Sequence, residues 1–267
     1  METPVVISIA GSDSSGGAGL QADLKTFTHF KVYAETVVTS VVAEVPGKVV
    51  SIQPVEPSVV RDQLALSLSH FPVLAIKTGM LYSSEIIDLV CETYEALPED
   101  DRPLLVVDPV MVATSGDSLV QPGVLERYKT RLFPLADLIT PNLDEAAAIL
   151  GTKLDTLSRM NDAAVALFRE YGVPFLVKGG HLKTTQAVDL LIDFDGVHEF
   201  SEPHRHGIPT HGTGCSYSAA IAANLALGLP LLEAVGVTKK FITRAINDSF
   251  HWKTKAGDAY ALRHFWK

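Results

Sequence analysis

The chain has 267 residues, 47% apolar and 20% charged, enough to bury a substantial core and unlike a disordered polymer. Its formal charge of −9 offers no basic face to nucleic acid or an anionic membrane. Cys91 and Cys215 form no CxxC pair, so neither a disulfide scaffold nor a structural zinc is expected, and a reducing, cytoplasmic setting is. No apolar run reaches a signal-peptide core with a basic flank, or the roughly 20 residues of a membrane span.

Strand-like and helix-like segments alternate along the chain. Residues 5–10 read as a buried strand, and Leu20, Leu24 and Phe27 recur at helical spacing after it. Residues 36–45 are β-branched and strand-like, 59–71 helical, 73–77 strand, 85–96 helical and 104–107 strand. A helix is predicted near 124–133, a strand at 138–140, a helix opening at Asn142, another at 161–171 and a strand at 175–177. Residues 188–192 and 197–200 read as a hairpin about Asp195-Gly196, and helices at 213–227 and 231–250 end the fold. Repeated βα units predict one domain with a mostly parallel sheet covered by helices on both faces, plus a small β flap near 33–55. In such sheets ligands gather at the carboxyl ends of the strands.

The first of these ends is "VVISIAGSDSSGGAGLQAD", residues 5–23, an apolar run meeting a Gly- and Ser-rich loop before a helix. A P-loop needs Gly-Lys-Ser/Thr, but Gly19 is followed by Leu20 and Gln21; a dinucleotide fingerprint fails at Ala22. A ligand loop and a plain glycine turn both stay open on these residues alone.

"HGTGC", residues 211–215, is the strongest signal. Gly212 and Gly214 flank Thr213 before a long small-residue helix, leaving free N–H groups at the positive helix end for an oxyanion or phosphate. Cys215 lies where a thiol pKa tends to fall. Asn142 and Glu145 have the spacing of a capping box, and an amide and carboxylate there also suit a hydrated Mg²⁺. Asp108 ends an apolar strand before Pro109, as a turn-former or a metal or substrate group. Lys178 ends another before Gly179-Gly180, as a surface charge or a phosphate clamp. His204, His206 and His211 lack the cysteine or carboxylate pattern of a metal site and read as a polar loop, and Cys215 with His211 lacks the third group of a triad.

Six phrases in order, "AGSDSSGGAGLQADLKTF", "KTGML", "VDPVM", "TPNLDEA", "VKGGH" and "HGTGC", resemble the hydroxymethylpyrimidine/phosphomethylpyrimidine kinases within the ribokinase-type superfamily. The resemblance implies a ribokinase-like three-layer α/β/α sandwich, ATP and Mg²⁺, a small pyrimidine alcohol as acceptor, and a homodimer. It implies that Gly11, Ala18 and Asp23 line the acceptor pocket with Met80 and Val110 as apolar walls. The triphosphate is then expected at Gly212, Thr213, Gly214 and Cys215 with Lys178 and Lys239, and Mg²⁺ near Asp108, Asn142 and Glu145. Cys215 would orient or deprotonate the acceptor hydroxyl, base work that requires a lowered thiol pKa. Glu44 stands where the family usually has Gln for pyrimidine recognition, and Pro46 also departs from its pattern. A pyridoxal/pyridoxine kinase and a non-catalytic pyrimidine-binding regulator are the alternatives.

Overall fold

The computed structural model describes residues 2–111, 119–180, 182, 185–205, 211–255 and 257–266. Strands β1 (Val5–Asp13), β2 (Tyr33–Val45), β3 (Lys48–Pro54), β4 (Val73–Thr78), β5 (Leu104–Val107), β6 (Leu138–Ile139), β7 (Phe175–Lys178), β8 (Gln186–Asp193) and β9 (Gly196–Pro203) join in one sheet, in spatial order 3-2-1-4-5-6-7-8-9. The pairs from β2 through β7 are parallel, while β3, β8 and β9 add antiparallel edges.

Side-chain alternation along each strand divides the core between the two faces of the sheet. Ile7, Ile9, Leu105, Val107, Phe175 and Val177 pack on one face with helices α2 (Pro57–His70), α3 (Ser84–Glu95), α4 (Val124–Arg127), α5 (Leu143–Leu150) and α6 (Leu157–Tyr171). Val6, Val106, Leu176 and Leu191 point the other way, onto α1 (Gly19–Phe30), α7 (Thr213–Ala226) and α8 (Leu231–Asn247). These are the three layers of an α/β/α sandwich. The α7 helix is buried on nearly every side between the sheet and its neighbours, which is why small residues, five of them Ala, recur along it. Among the described residues, no helix is long and apolar enough to cross a membrane.

Two expected helices are shorter than their periodicity predicts. After α4 the chain widens to a π turn at Tyr128–Leu132 and tightens to a 3₁₀ turn at Phe133–Leu135, because Pro134 has no N–H to continue an α ladder. The last helix stops at Asn247, and Phe250–Thr254 pairs antiparallel with Gly257–Ala261 as strands β10 and β11, a hairpin missed in the sequence. In the flap, Pro46-Gly47 fills the two-residue turn between β2 and β3, with Gly47 at φ +82°, where a side chain would be strained.

The C-terminal segment docks on α7 through a buried hydrogen bond of 2.8 Å between Ser216 Oγ and His264 Nε2. Burial pushes the His264 imidazole down from 6.5 to about 4, with the Lys25 charge adding to it and a Leu262 backbone hydrogen bond opposing. An unfolded chain therefore takes up this proton first. The stabilisation is complete above about pH 6.5 and is lost as pH falls toward 4, about 2 kcal/mol of it between pH 7 and pH 5. Urea unfolding at those two pH values should show that loss, and His264→Gln should shrink it.

Candidate active site

The strand order reverses at β1, whose neighbours β2 and β4 continue the chain in opposite directions, and the carboxyl ends of β1 and β4 flank the resulting crevice. A cavity of about 640 Å³ opens there and runs across the ends of β5 and β7 to the start of α7 and one face of α8. Every residue expected in the site except Asp23 lines it: Gly11, Ala18, Glu44, Met80 and Val110, then Asp108, Asn142, Glu145 and Lys178, then Gly212, Thr213, Gly214, Cys215 and Lys239.

At one end the loop after β1 is organised by Asp13, which the sequence reading passed over. Its carboxylate accepts from the backbone N–H of Ser15, Gly17 and Ala18, from Ser15 Oγ and from His211 Nε2. Burial works to raise its pKa, but the bonds from His211, Ser15 and Ala18 prevail and hold it at about 2. His211 thus ties the second glycine loop to the first. Glu44 is fixed by its backbone, which exchanges hydrogen bonds with Ser14 Oγ at 2.9 and 3.0 Å. Its carboxyl joins Asp13 and His211 in a group whose ligand-type atoms lie within 4.8 Å of one another. Burial raises the Glu44 pKa, Asp13 adds to that, and His211 opposes it. Of the other histidines considered, His204 lines the cavity and His206 lies outside the described residues.

At the other end α7 begins with no side-chain cap, so its first N–H groups face the cavity at the positive end of the helix dipole. Gly212 holds φ +79°, and a Cβ there would lie 1.8 Å from the Gly17 carbonyl oxygen, so the two glycine loops touch backbone to backbone. Thr213 Oγ1 is buried with no hydrogen-bond partner, a donor available to a bound anion. Lys178 Nζ reaches Asp108 Oδ1 at 2.9 Å, and Ser218 and Thr140 hydroxyls donate to the same carboxylate. The Asn142–Glu145 capping box is present, with bonds of 2.9 and 2.8 Å, and the same two residues line the cavity. Burial pushes Glu145 up to about 8, Lys178 pulling it down and Asp108 pushing it further. Two buried carboxylates beside one ammonium leave this corner short of positive charge, and an all-oxygen set of that kind fits Mg²⁺.

Two expectations are corrected. Asp23 does not line the cavity: it is fully buried in α1, where it accepts from Ser8 Oγ and from Lys77 Nζ at 2.8 and 3.0 Å. Lys77, unassigned in the sequence reading, lines the cavity instead. The lowered thiol expected of a helix start is also absent. Burial pushes Cys215 up from 9.0 to about 11, with Asp23 and Asp108 adding to it, while Lys77 and the Gly19 N–H oppose. Asp189 was missed as well. Buried in β8, it accepts from Gly179 N–H at 3.0 Å, Tyr217 OH at 2.9 Å and Lys239 Nζ at 2.7 Å. A lone charge inside an apolar strand was the available signal for both Lys77 and Asp189.

An α/β/α sandwich with its ligand crevice at the strand ends and an uncapped glycine-led helix closing it is a ribokinase-like fold. Residues 13–259 match the phosphomethylpyrimidine kinase family, and the chain belongs to that family. It is 37% identical over 261 residues to the hydroxymethylpyrimidine/phosphomethylpyrimidine kinase of Aquifex aeolicus, covering 98% of this chain and 100% of that one. It is 44% identical over 241 residues to the thiamine biosynthesis bifunctional protein ThiED of Geobacter sulfurreducens, covering 90% of this chain and 49% of that protein, so it spans about half that relative's length. A solved pyridoxal kinase from Staphylococcus aureus, in complex with AMP-PCP and pyridoxal, is similar at 34% identity and a TM-score of 0.88, covering 99% of this chain and 94% of that one.

Proposed function

We propose that this chain uses ATP to phosphorylate 4-amino-5-hydroxymethyl-2-methylpyrimidine, and then its monophosphate, in thiamine biosynthesis. The observation that carries the reading is one cavity with chemically distinct ends. Apolar walls and a carboxylate, Met80, Val110 and Glu44, suit a small polar ring at one end, and the α7 start with Lys178 suits a triphosphate at the other.

Phosphoryl transfer needs positioning and charge neutralisation more than covalent help from the protein. The N–H groups of the Gly212–Gly214 turn and the α7 dipole would hold the transferred group's oxygens, and Lys178 would add a point charge. Lys239, anchored by Asp189, would serve the nucleotide. Asp108, Asn142 and Glu145 would hold Mg²⁺, in part through water, and the bound ion would neutralise phosphate charge. Cys215 carries its proton at neutral pH, so its first role is to orient the acceptor hydroxyl. Gly11 and Ala18 would bring backbone close to the ring.

Phosphorus NMR of the products from ATP and the pyrimidine alcohol tests this reading: a monophosphate followed by a diphosphate is expected. A protein that binds the alcohol by calorimetry but never turns over ATP would be a binding protein instead.

Pyridoxine phosphorylation is the second reading, favoured by the likeness to the pyridoxal kinase above, and Glu44 separates the two. An ionised carboxylate accepts from an exocyclic amine and favours a protonated ring nitrogen. Glu44→Gln is expected to move the kcat/KM ratio of pyrimidine alcohol to pyridoxine by at least about tenfold while KM for ATP holds. An unmoved ratio would mean that Glu44 does not read the ring.

A further inference from the structure

Asp189 is a buried carboxylate lining the end of the cavity expected to hold a triphosphate, where its own charge would repel one. Alternation along β8 puts it there. Val188 and Leu190 pack into the core on one face of the sheet, and Leu191, two residues after Asp189, packs on the face of α7 and α8. The carboxylate gathers donors from three other parts of the chain. Gly179 N–H, just past β7, donates to Oδ1 at 3.0 Å, while Tyr217 OH of α7 and Lys239 Nζ of α8 donate to Oδ2 at 2.9 and 2.7 Å. Burial pushes the Tyr217 pKa up and the Asp189 charge adds to it, so the hydroxyl keeps the proton it donates.

The Gly179 and Tyr217 bonds fix the carboxylate, and the carboxylate fixes Lys239. Gly179 itself has little room to move: a Cβ there would come within 2.2 Å of the Val188 carbonyl oxygen on β8. Lys239 is buried yet borders the cavity, and an ammonium has three donors, of which the pair with Asp189 takes one. Burying two charges costs about as much as their attraction returns, so stability alone does not account for the pair. It also carries no net charge. What Asp189 supplies to the cavity is therefore the place of the ammonium.

We propose that Asp189 is a positioning residue for the nucleotide, holding the Lys239 ammonium where it meets the phosphates. This deepens the ATP reading and rests on it for the ligand, but binding is measurable without turnover. Calorimetry on the full chain with Mg²⁺ present compares ADP with adenosine, which lacks the phosphates, and with the pyrimidine alcohol. Asp189→Asn keeps the shape and removes the charge. Asp189→Glu keeps the charge and displaces it by one methylene.

Either substitution is expected to raise the Kd for ADP about tenfold, while the Kd for adenosine and for the alcohol changes less than about threefold. In a Lys239→Met background Asp189→Asn is expected to leave ADP binding unchanged or to tighten it, since it then removes an unpaired carboxylate from beside the phosphates. A further weakening there would mean that Asp189 does not act through Lys239, and overturns the proposal. So does a Kd for ADP that holds or falls in whichever Asp189 variant folds, a result that leaves the ATP reading standing. Equal losses for ADP, adenosine and the alcohol would mark a structural role only and overturn it as well. A natural protein that binds no ADP overturns the ATP reading and the proposal with it.

Discussion

Replacing Cys215 with alanine is expected to lower kcat by about 10²–10⁴ while KM for ATP changes less than about threefold. The split follows from where the side chain sits. The backbone N–H groups that would hold the triphosphate belong to α7, and the helix continues through position 215 with either residue. What is lost is the sulfur, which lines the cavity and takes a hydrogen bond from the Gly19 N–H in the loop expected to hold the acceptor. His211 cannot take over, because its Nε2 is bound to Asp13 Oδ2 at 3.1 Å. Single-turnover kinetics at saturating ATP would measure the effect. Turnover at the natural rate would remove Cys215 from the mechanism.

Gly212→Ala is expected to be as damaging, for a steric reason. At φ +79° a side chain is strained, at a cost of about 1–3 kcal/mol, before any contact is considered. The added methyl would also overlap the Gly17 carbonyl oxygen and approach its carbon to 2.7 Å, and these are backbone atoms with no rotamer to escape through. The two glycine loops must then part, which moves both the anion-binding start of α7 and the acceptor loop. A loss of stability of at least about 2 kcal/mol and a fall in kcat/KM of at least about a hundredfold are expected. Gly180, by contrast, has no heavy atom within 4 Å of an added Cβ, so Gly180→Ala is the matched control at the same cavity.

The layers of the fold were legible because strand alternation and helical spacing are local. Val6 and Ile7 are adjacent in sequence and belong to opposite cores, as period two requires. The capping box at Asn142 and the hairpin turn before Gly196 were legible for the same reason. The edges of the fold were harder to read. Strand β3 is mostly exposed and β10 has four exposed residues of five, so neither carries an apolar face to betray it.

Site positions were legible wherever a strand end met a glycine or a lone polar residue, as at Asp108 and Lys178. Side-chain partnerships were not. Lys77 meets Asp23 across 54 residues and Lys239 meets Asp189 across 50, and nothing in either local sequence announces the other. Asp23 could therefore be placed near the pocket by resemblance while its carboxylate was already committed behind the wall. The Cys215 thiol illustrates the same limit. A helix start lowers a thiol pKa by a local effect, whereas the burial that prevails depends on every element packed around it.

A cavity that takes a pyrimidine alcohol and transfers phosphate to it from ATP should prefer that alcohol to pyridoxine. Steady-state kcat/KM for 4-amino-5-hydroxymethyl-2-methylpyrimidine and for pyridoxine, measured in one preparation with ATP and Mg²⁺, tests it most directly. The expected result is a higher value for the pyrimidine alcohol. A preference for pyridoxine of more than about tenfold, a difference of about 1.4 kcal/mol in transition-state binding, would contradict it.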